Sequence, residues 1–174
     1  MDLKRSKINS LDESNVGSEI LVSGWVRTKR QSKNVSFLSV NDGSSINNLQ
    51  VVIDMHSFDI SFVDDISSGC SVSIFGKLEK SEGKNQQFEI IASKVDILGK
   101  SDPEEYPIQP KRHTFEFLRE VAHLRPRTNT FSSIFRIRHS IIYSIHKFFN
   151  DILELIYLFS RRINLGSIEK DLFI

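Results

Sequence analysis

A small β-barrel followed by a helical segment is the fold class that three features of this sequence predict. Seven of the eight glycines lie at or before Gly99, while all four prolines (Pro103, Pro107, Pro110, Pro126) follow it, a change in composition that marks a domain boundary. Before the boundary, short runs of β-branched and aromatic residues are separated by polar or glycine-containing turns. After it, apolar residues recur every three or four positions. The bulk composition agrees: 174 residues, 39% hydrophobic, with 23 Lys+Arg against 22 Asp+Glu, suit one or two small domains with a packed core and exclude disorder and collagen.

The runs that read as strands are Ile20 to Val26, Val35 to Val40, Leu49 to Ile53, Val72 to Leu78 and Phe88 to Ala92. Between the third and fourth, Phe62-Val63-Asp64-Asp65-Ile66 carries apolar residues at helical spacing and stops before Gly69, which suits a helix cap. A five-stranded barrel with one helix between its third and fourth strands is the plan of the OB-fold, whose open face often holds single-stranded nucleic acid.

Near-neutral total charge conceals a basic segment. Between Lys111 and Lys147, Lys111, Arg112, Arg119, Arg125, Arg127, Arg136, Arg138 and Lys147 face only Glu116 and Glu120. Such a surplus suits either a solvated helix face or contact with phosphate. Further on, Phe131, Ile134, Phe135, Arg138, Ile141, Ile142, Ile145, Phe148 and Phe149 form one stripe along a helix of about five turns. The predicted organisation is therefore a barrel over 1–100, a hinge over 101–130, a helix over 131–151 and a divergent tail over 152–174.

Cys70 is alone, so an internal disulfide and a cysteine metal cluster are excluded and a small buried hydrophobe is expected. No metal site is expected. The opening Met1-Asp2-Leu3-Lys4-Arg5-Ser6 lacks a signal-like apolar stretch and no long apolar run follows, which predicts a cytoplasmic chain without a membrane span.

A barrel that binds an unpaired loop needs a cationic approach for the backbone, an aromatic platform for a base, and amide or carboxylate groups at base edges. Arg27, Lys29 and Arg30 end the first strand with positive charge, Phe37 lies on the second, Gln50 on the third and Glu89 on the fifth. Singly, Phe37 is better explained as core and Gln50 and Glu89 as ordinary surface; together they make a candidate constellation.

These residues carry a family resemblance. Val22-Ser23-Gly24-Trp25-Val26-Arg27 through Arg30, Phe37-Leu38-Ser39-Val40-Asn41-Asp42-Gly43-Ser44 and Leu49-Gln50-Val51-Val52 resemble the anticodon-binding domain of class IIb aminoacyl-tRNA synthetases. Tyr106-Pro107-Ile108-Gln109, Lys111-Arg112-His113, Glu116-Phe117-Leu118-Arg119-Glu120 and His123-Leu124-Arg125-Pro126-Arg127-Thr128-Asn129-Thr130-Phe131 resemble the hinge of asparaginyl-tRNA synthetase. The resemblance implies that Phe37 stacks on the middle anticodon base, that Gln50 and Glu89 bond to anticodon bases, and that Arg30 meets a base or nearby phosphate. It places Lys111, Arg112, Arg125 and Arg127 near the tRNA body or in the hinge. It also likens residues 131–150 to the motif 1 helix, with Phe135, Ile142 and Phe149 at a homodimer interface.

In that family ATP and magnesium are held by motifs 2 and 3, which do not occur in this sequence. The resemblance therefore implies a tRNA-binding fragment of an asparagine-tRNA ligase with no catalytic residue and no cofactor of its own. The tail has two readings: an apolar helix, or a frame change just after the helix. The second is favoured, because codons for Ser160-Arg161-Arg162 and Glu169-Lys170-Asp171 can hide the family's Thr-Pro and Glu-Gly elements in a neighbouring frame. A stand-alone nucleic-acid-binding or regulatory module, a product without a role, and a chain that pairs with a full-length synthetase remain as alternatives. With its usual supports missing, the apolar helix is expected to self-associate.

Overall fold

The computed structural model describes residues 4–152 apart from 82, 84 and 85. The tail from 153 onward, with its hidden-frame reading, lies outside the described residues. The chain divides into two units, Met1–Asn129 and Thr130–Ile174.

In the first unit, β1 (Glu19–Gln31), β2 (Val35–Asn41), β3 (Leu49–Asp54), β4 (Ser71–Lys80) and β5 (Phe88–Gly99) close into a barrel in the order β1-β2-β3-β5-β4. Helix α1 (Ile60–Asp64) sits in the connection between β3 and β4. Every neighbouring pair is antiparallel except β3 and β5. This is the OB-fold plan.

Strict alternation drives closure. On β2, Ser36, Leu38 and Val40 are buried while Val35, Phe37 and Ser39 are not, and on β3 Leu49, Val51 and Ile53 turn inward. Each fully buried Leu or Ile, such as Leu38, Ile53, Ile74, Leu78 or Ile90, contributes about 1.5–3 kcal/mol. A one-residue slip would turn the whole set to solvent, so the packing fixes the register. Cys70 is buried in the same cluster, as its solitary position suggested.

β1 and β5 run well beyond their predicted ends. The second half of β1, Arg27-Thr28-Lys29-Arg30-Gln31, is polar on both faces and has no alternation to read; pairing with β2, after an irregularity between Val26 and Thr28, keeps it extended. β5 continues because Val95 and Ile97 pair against β4.

Gly69 is not the cap of α1. That helix ends at Asp64 with Asp65 still in the right-handed region, and Gly69 stands later, in the turn into β4, at φ +91°. A Cβ there would lie 2.7 Å from Ser101 Oγ and 2.8 Å from the Tyr106 ring, so glycine serves both the left-handed turn and the approach of the hinge.

The hinge is more structured than its prolines suggest. Gln109 Nε2 donates to the carbonyls of Pro103 (2.8 Å) and Tyr106 (2.6 Å), which folds the Tyr106-Pro107-Ile108-Gln109 stretch on itself. Thr114 caps a short helix, α2 (Phe115–Glu120), by accepting from the Phe117 amide, and Leu118 is buried.

Helix α3 (Asn129–Lys147), which belongs to the second unit from Thr130 on, continues into a π-helical turn at Phe148–Ile152. The predicted helical period is thus present. Within α3 no residue is buried. Among the described residues no helix is long and apolar enough to cross a membrane, and no group of three or more His, Cys, Asp or Glu could hold a metal ion.

Candidate nucleic-acid interface

Because Ser36 and Leu38 point into the barrel, Phe37 between them must point out. It stands opposite Arg30 on β1 and Val52 on β3. Gln50 is outward for the same reason, lying between buried Leu49 and Val51 and opposite Ser39. Arg30, Gln31, Ser32, Phe37 and Gln50 line one open depression of about 380 Å³. A cation, an aromatic face and an amide therefore share a concave surface.

Glu89 joins through the parallel pair. β3 and β5 are in register with Gln50 opposite Glu89, and Gln50 Nε2 donates to Glu89 Oε2 at 3.2 Å. The same oxygen accepts from Ser81 Oγ at 2.9 Å and from Gln86 Nε2 at 3.4 Å. With its amino group donating to the carboxylate, Gln50 keeps its carbonyl oxygen as an acceptor. Arg30, Phe37, Gln50 and Glu89, the four residues singled out in the sequence, are thus linked neighbours on the barrel. Gln31 and Ser32 share the depression, and Ser81 and Gln86 hold Glu89; none of them carries a signal in the sequence, because a contact made across a barrel leaves no period.

The basic end of β1 splits into three roles. Arg30 is exposed at the depression. Lys29 turns away: its Nζ donates to the Val63 carbonyl at 2.6 Å, within 3.9 Å of Asp64, and burial holds it below the usual lysine range against the pull of that carboxylate. It closes the C-terminal end of α1, where a cation meets the negative end of the helix dipole. Arg27 points toward the hinge, donating to Asn129 Oδ1 at 3.2 Å; burial lowers its pKa, Tyr106 raising and Arg127 further lowering it.

Hinge cations divide likewise. Lys111 and Arg112 are exposed just before α2. Arg127 lies 4.6 Å above the Trp25 ring and donates to Tyr106 Oη at 3.1 Å, so it fastens the hinge to β1. Arg125 is half-buried, its carbonyl accepting from Thr128 Oγ1 at 2.7 Å. None of these four lines the depression around Phe37. On the second unit, Phe135 and Phe149 are half-buried and Ile142 is exposed, with Phe149 edge-on to Phe148 at 5.6 Å.

Comparison with known proteins agrees with the geometry. Residues 20–98 match the family described as OB-fold nucleic acid binding domain. The asparagine-tRNA ligase of Parabacteroides distasonis is 51% identical over 150 residues, covering 86% of this chain and 32% of the relative. That of Porphyromonas gingivalis strain W83 is 49% identical with the same coverage. Among solved structures, asparaginyl-tRNA synthetase from Pyrococcus horikoshii superposes with a TM-score of 0.74 over 84% of this chain and 35% of that one, at 19% identity, which speaks for the fold. This chain spans about a third of the length of the curated relatives it matches.

Proposed function

Residues 20–98 belong to the OB-fold nucleic-acid-binding family and the chain is a relative of asparagine-tRNA ligases, and from that premise we propose that its barrel binds the anticodon loop of an asparagine tRNA. One observation carries the reading: Arg30, Phe37 and Gln50 line a single open depression, and Gln50 is bonded to Glu89. Phe37 offers a π-face that accepts any base, while the Gln50 carbonyl and the Glu89 carboxylate accept hydrogen bonds only from suitably placed donors on base edges. Arg30 answers the phosphate that an unstacked base brings with it.

The chain's share of ligation is recognition. The ATP-dependent joining of asparagine to tRNA is the work of a catalytic domain outside these 174 residues. Lys111 and Arg112, exposed ahead of α2, meet phosphates of the tRNA body, whereas Arg125 and Arg127 set the hinge. The stripe bearing Phe135, Ile142 and Phe149 is the surface through which two copies, or this chain and a full-length synthetase, would pair in the cytoplasm.

Binding of a synthetic anticodon stem-loop RNA tests the proposal. Phe37→Ala is expected to weaken it by about 1–3 kcal/mol through lost stacking. Unchanged affinity would show that Phe37 is only a covering residue of the barrel.

A further inference from the structure

A second cleft, of about 480 Å³, opens beside the Glu89 cluster, between the N-terminal segment, the β2–β3 connection and the β4–β5 hairpin. Its floor is apolar: Ile8, Leu11 and Phe88 pack against the barrel core and Leu49 belongs to it. Its rim is amide: Asn9, Asn47, Asn48, Gln86 and Gln87. Among the described residues that line it, none is charged.

That chemistry is selective. Apolar side chains together with neutral donor-acceptor groups suit a nucleobase, because Asn and Gln amides pair with base edges while apolar atoms cover the ring faces. Phosphate or a metal ion would find no counter-charge among these residues. The cleft is continuous with the proposed anticodon surface, since Gln86 lines it and also donates to Glu89 Oε2 (3.4 Å) and Ser81 Oγ (2.7 Å). A strand of unpaired nucleotides crossing Phe37, Gln50 and Glu89 in turn would bring its next base here.

We propose that this cleft receives one further unpaired base, adjoining the anticodon triplet in the loop, and so extends recognition beyond the triplet. The inference rests on the anticodon reading above. The N-terminal segment thereby acquires a role: it is a wall of the site, tied to the β2–β3 connection by hydrogen bonds from the Ile8 amide to Asp42 Oδ2 (3.0 Å) and from the Asn9 amide to Ser44 Oγ (3.0 Å).

The test uses the full chain and synthetic anticodon stem-loop RNAs with an abasic nucleotide immediately before or after the triplet. For the unaltered protein, one of the two abasic RNAs is expected to bind at least about fivefold more weakly, the low end for losing one stacked base. In the variant carrying Asn47→Ala and Gln87→Ala that penalty is expected to shrink by the part the two amides supply, while the penalty for changing the middle anticodon base stays, which also shows that the variant is folded. If binding depends on the triplet but neither abasic position matters, the cleft holds no base and the anticodon reading stands alone. If binding ignores the triplet and Phe37→Ala has no effect, both readings fall.

Discussion

Gln50 and Glu89 meet only because β3 and β5 run parallel in this register, and their chemistry depends on one of them being an amide. Gln50→Glu would set two carboxylates at hydrogen-bonding distance. At neutral pH both would carry charge, repelling each other and the incoming phosphates; one of the pair should then hold a proton well above the usual carboxylate range. Stem-loop affinity is therefore expected to fall by about 1–2 kcal/mol at pH 7.5 and to recover as the pH is lowered toward about 5.5, where a shared proton restores a donor between the two. A pH-independent loss would mean that the amide itself, rather than charge, is what the RNA reads. This pair also marks the reach of the sequence. Gln50 is recognisable from its place between inward Leu49 and Val51, and Phe37 from its alternation with Leu38 and Val40, but the contact to Glu89 is long-range, and Ser81 and Gln86, which hold Glu89 in place, are ordinary loop residues until the hairpin closes.

At the level of elements, the N-terminal segment is secured by a carboxylate that also shapes a turn. Asp42 accepts from the Ile8 amide, the Ser44 amide (2.9 Å) and Ser44 Oγ (2.6 Å). Burial pushes its carboxyl up, but these hydrogen bonds and the Arg5 guanidinium outweigh burial and hold it below the ordinary aspartate range. A lowered folded-state pKa means that the stabilisation is complete above the unfolded value, about 3.9, and is lost as pH falls through the folded value. Protection of the Ile8 amide against hydrogen exchange is expected to be retained from neutral pH down into the ordinary aspartate range and to be lost only below it. Asp42→Asn should lower that protection by about fivefold at neutral pH, roughly 1 kcal/mol after solvent screening. Protection that is indifferent to both changes would place the anchor elsewhere, for example at the Ser6 amide on the Leu21 carbonyl. Element boundaries follow the same physics: the strands were legible where burial enforces alternation, and they were cut short in β1 where Arg27 through Gln31 are extended by pairing alone. α2 leaves no period in the sequence, because six residues, with Thr114 as cap, are too few for one to show.

Across the whole molecule, the two units differ in how their apolar surface is covered. The barrel buries a continuous cluster, and the hinge is fastened to it by Arg127 over Trp25 and by Tyr106 against Gly69. α3 buries no residue; Ile134, Ile137, Ile141, Ile142, Tyr143, Ile145 and Phe148 are all exposed, Ile137 to 60%. An apolar surface of that kind drives association because each covered side chain gains its transfer free energy while the barrel loses nothing. In sedimentation the full chain is expected to self-associate with rising concentration, and a chain ending at Asn129 to stay monomeric with unchanged stem-loop affinity. Ile142→Glu should act like the truncation, since a carboxylate in the stripe would have to be desolvated on pairing. Should the full chain remain monomeric at high concentration, the apolar stripe would not be a pairing surface. Should the shortened chain associate instead, the pairing contact lies within residues 1–129 and not on the stripe of α3.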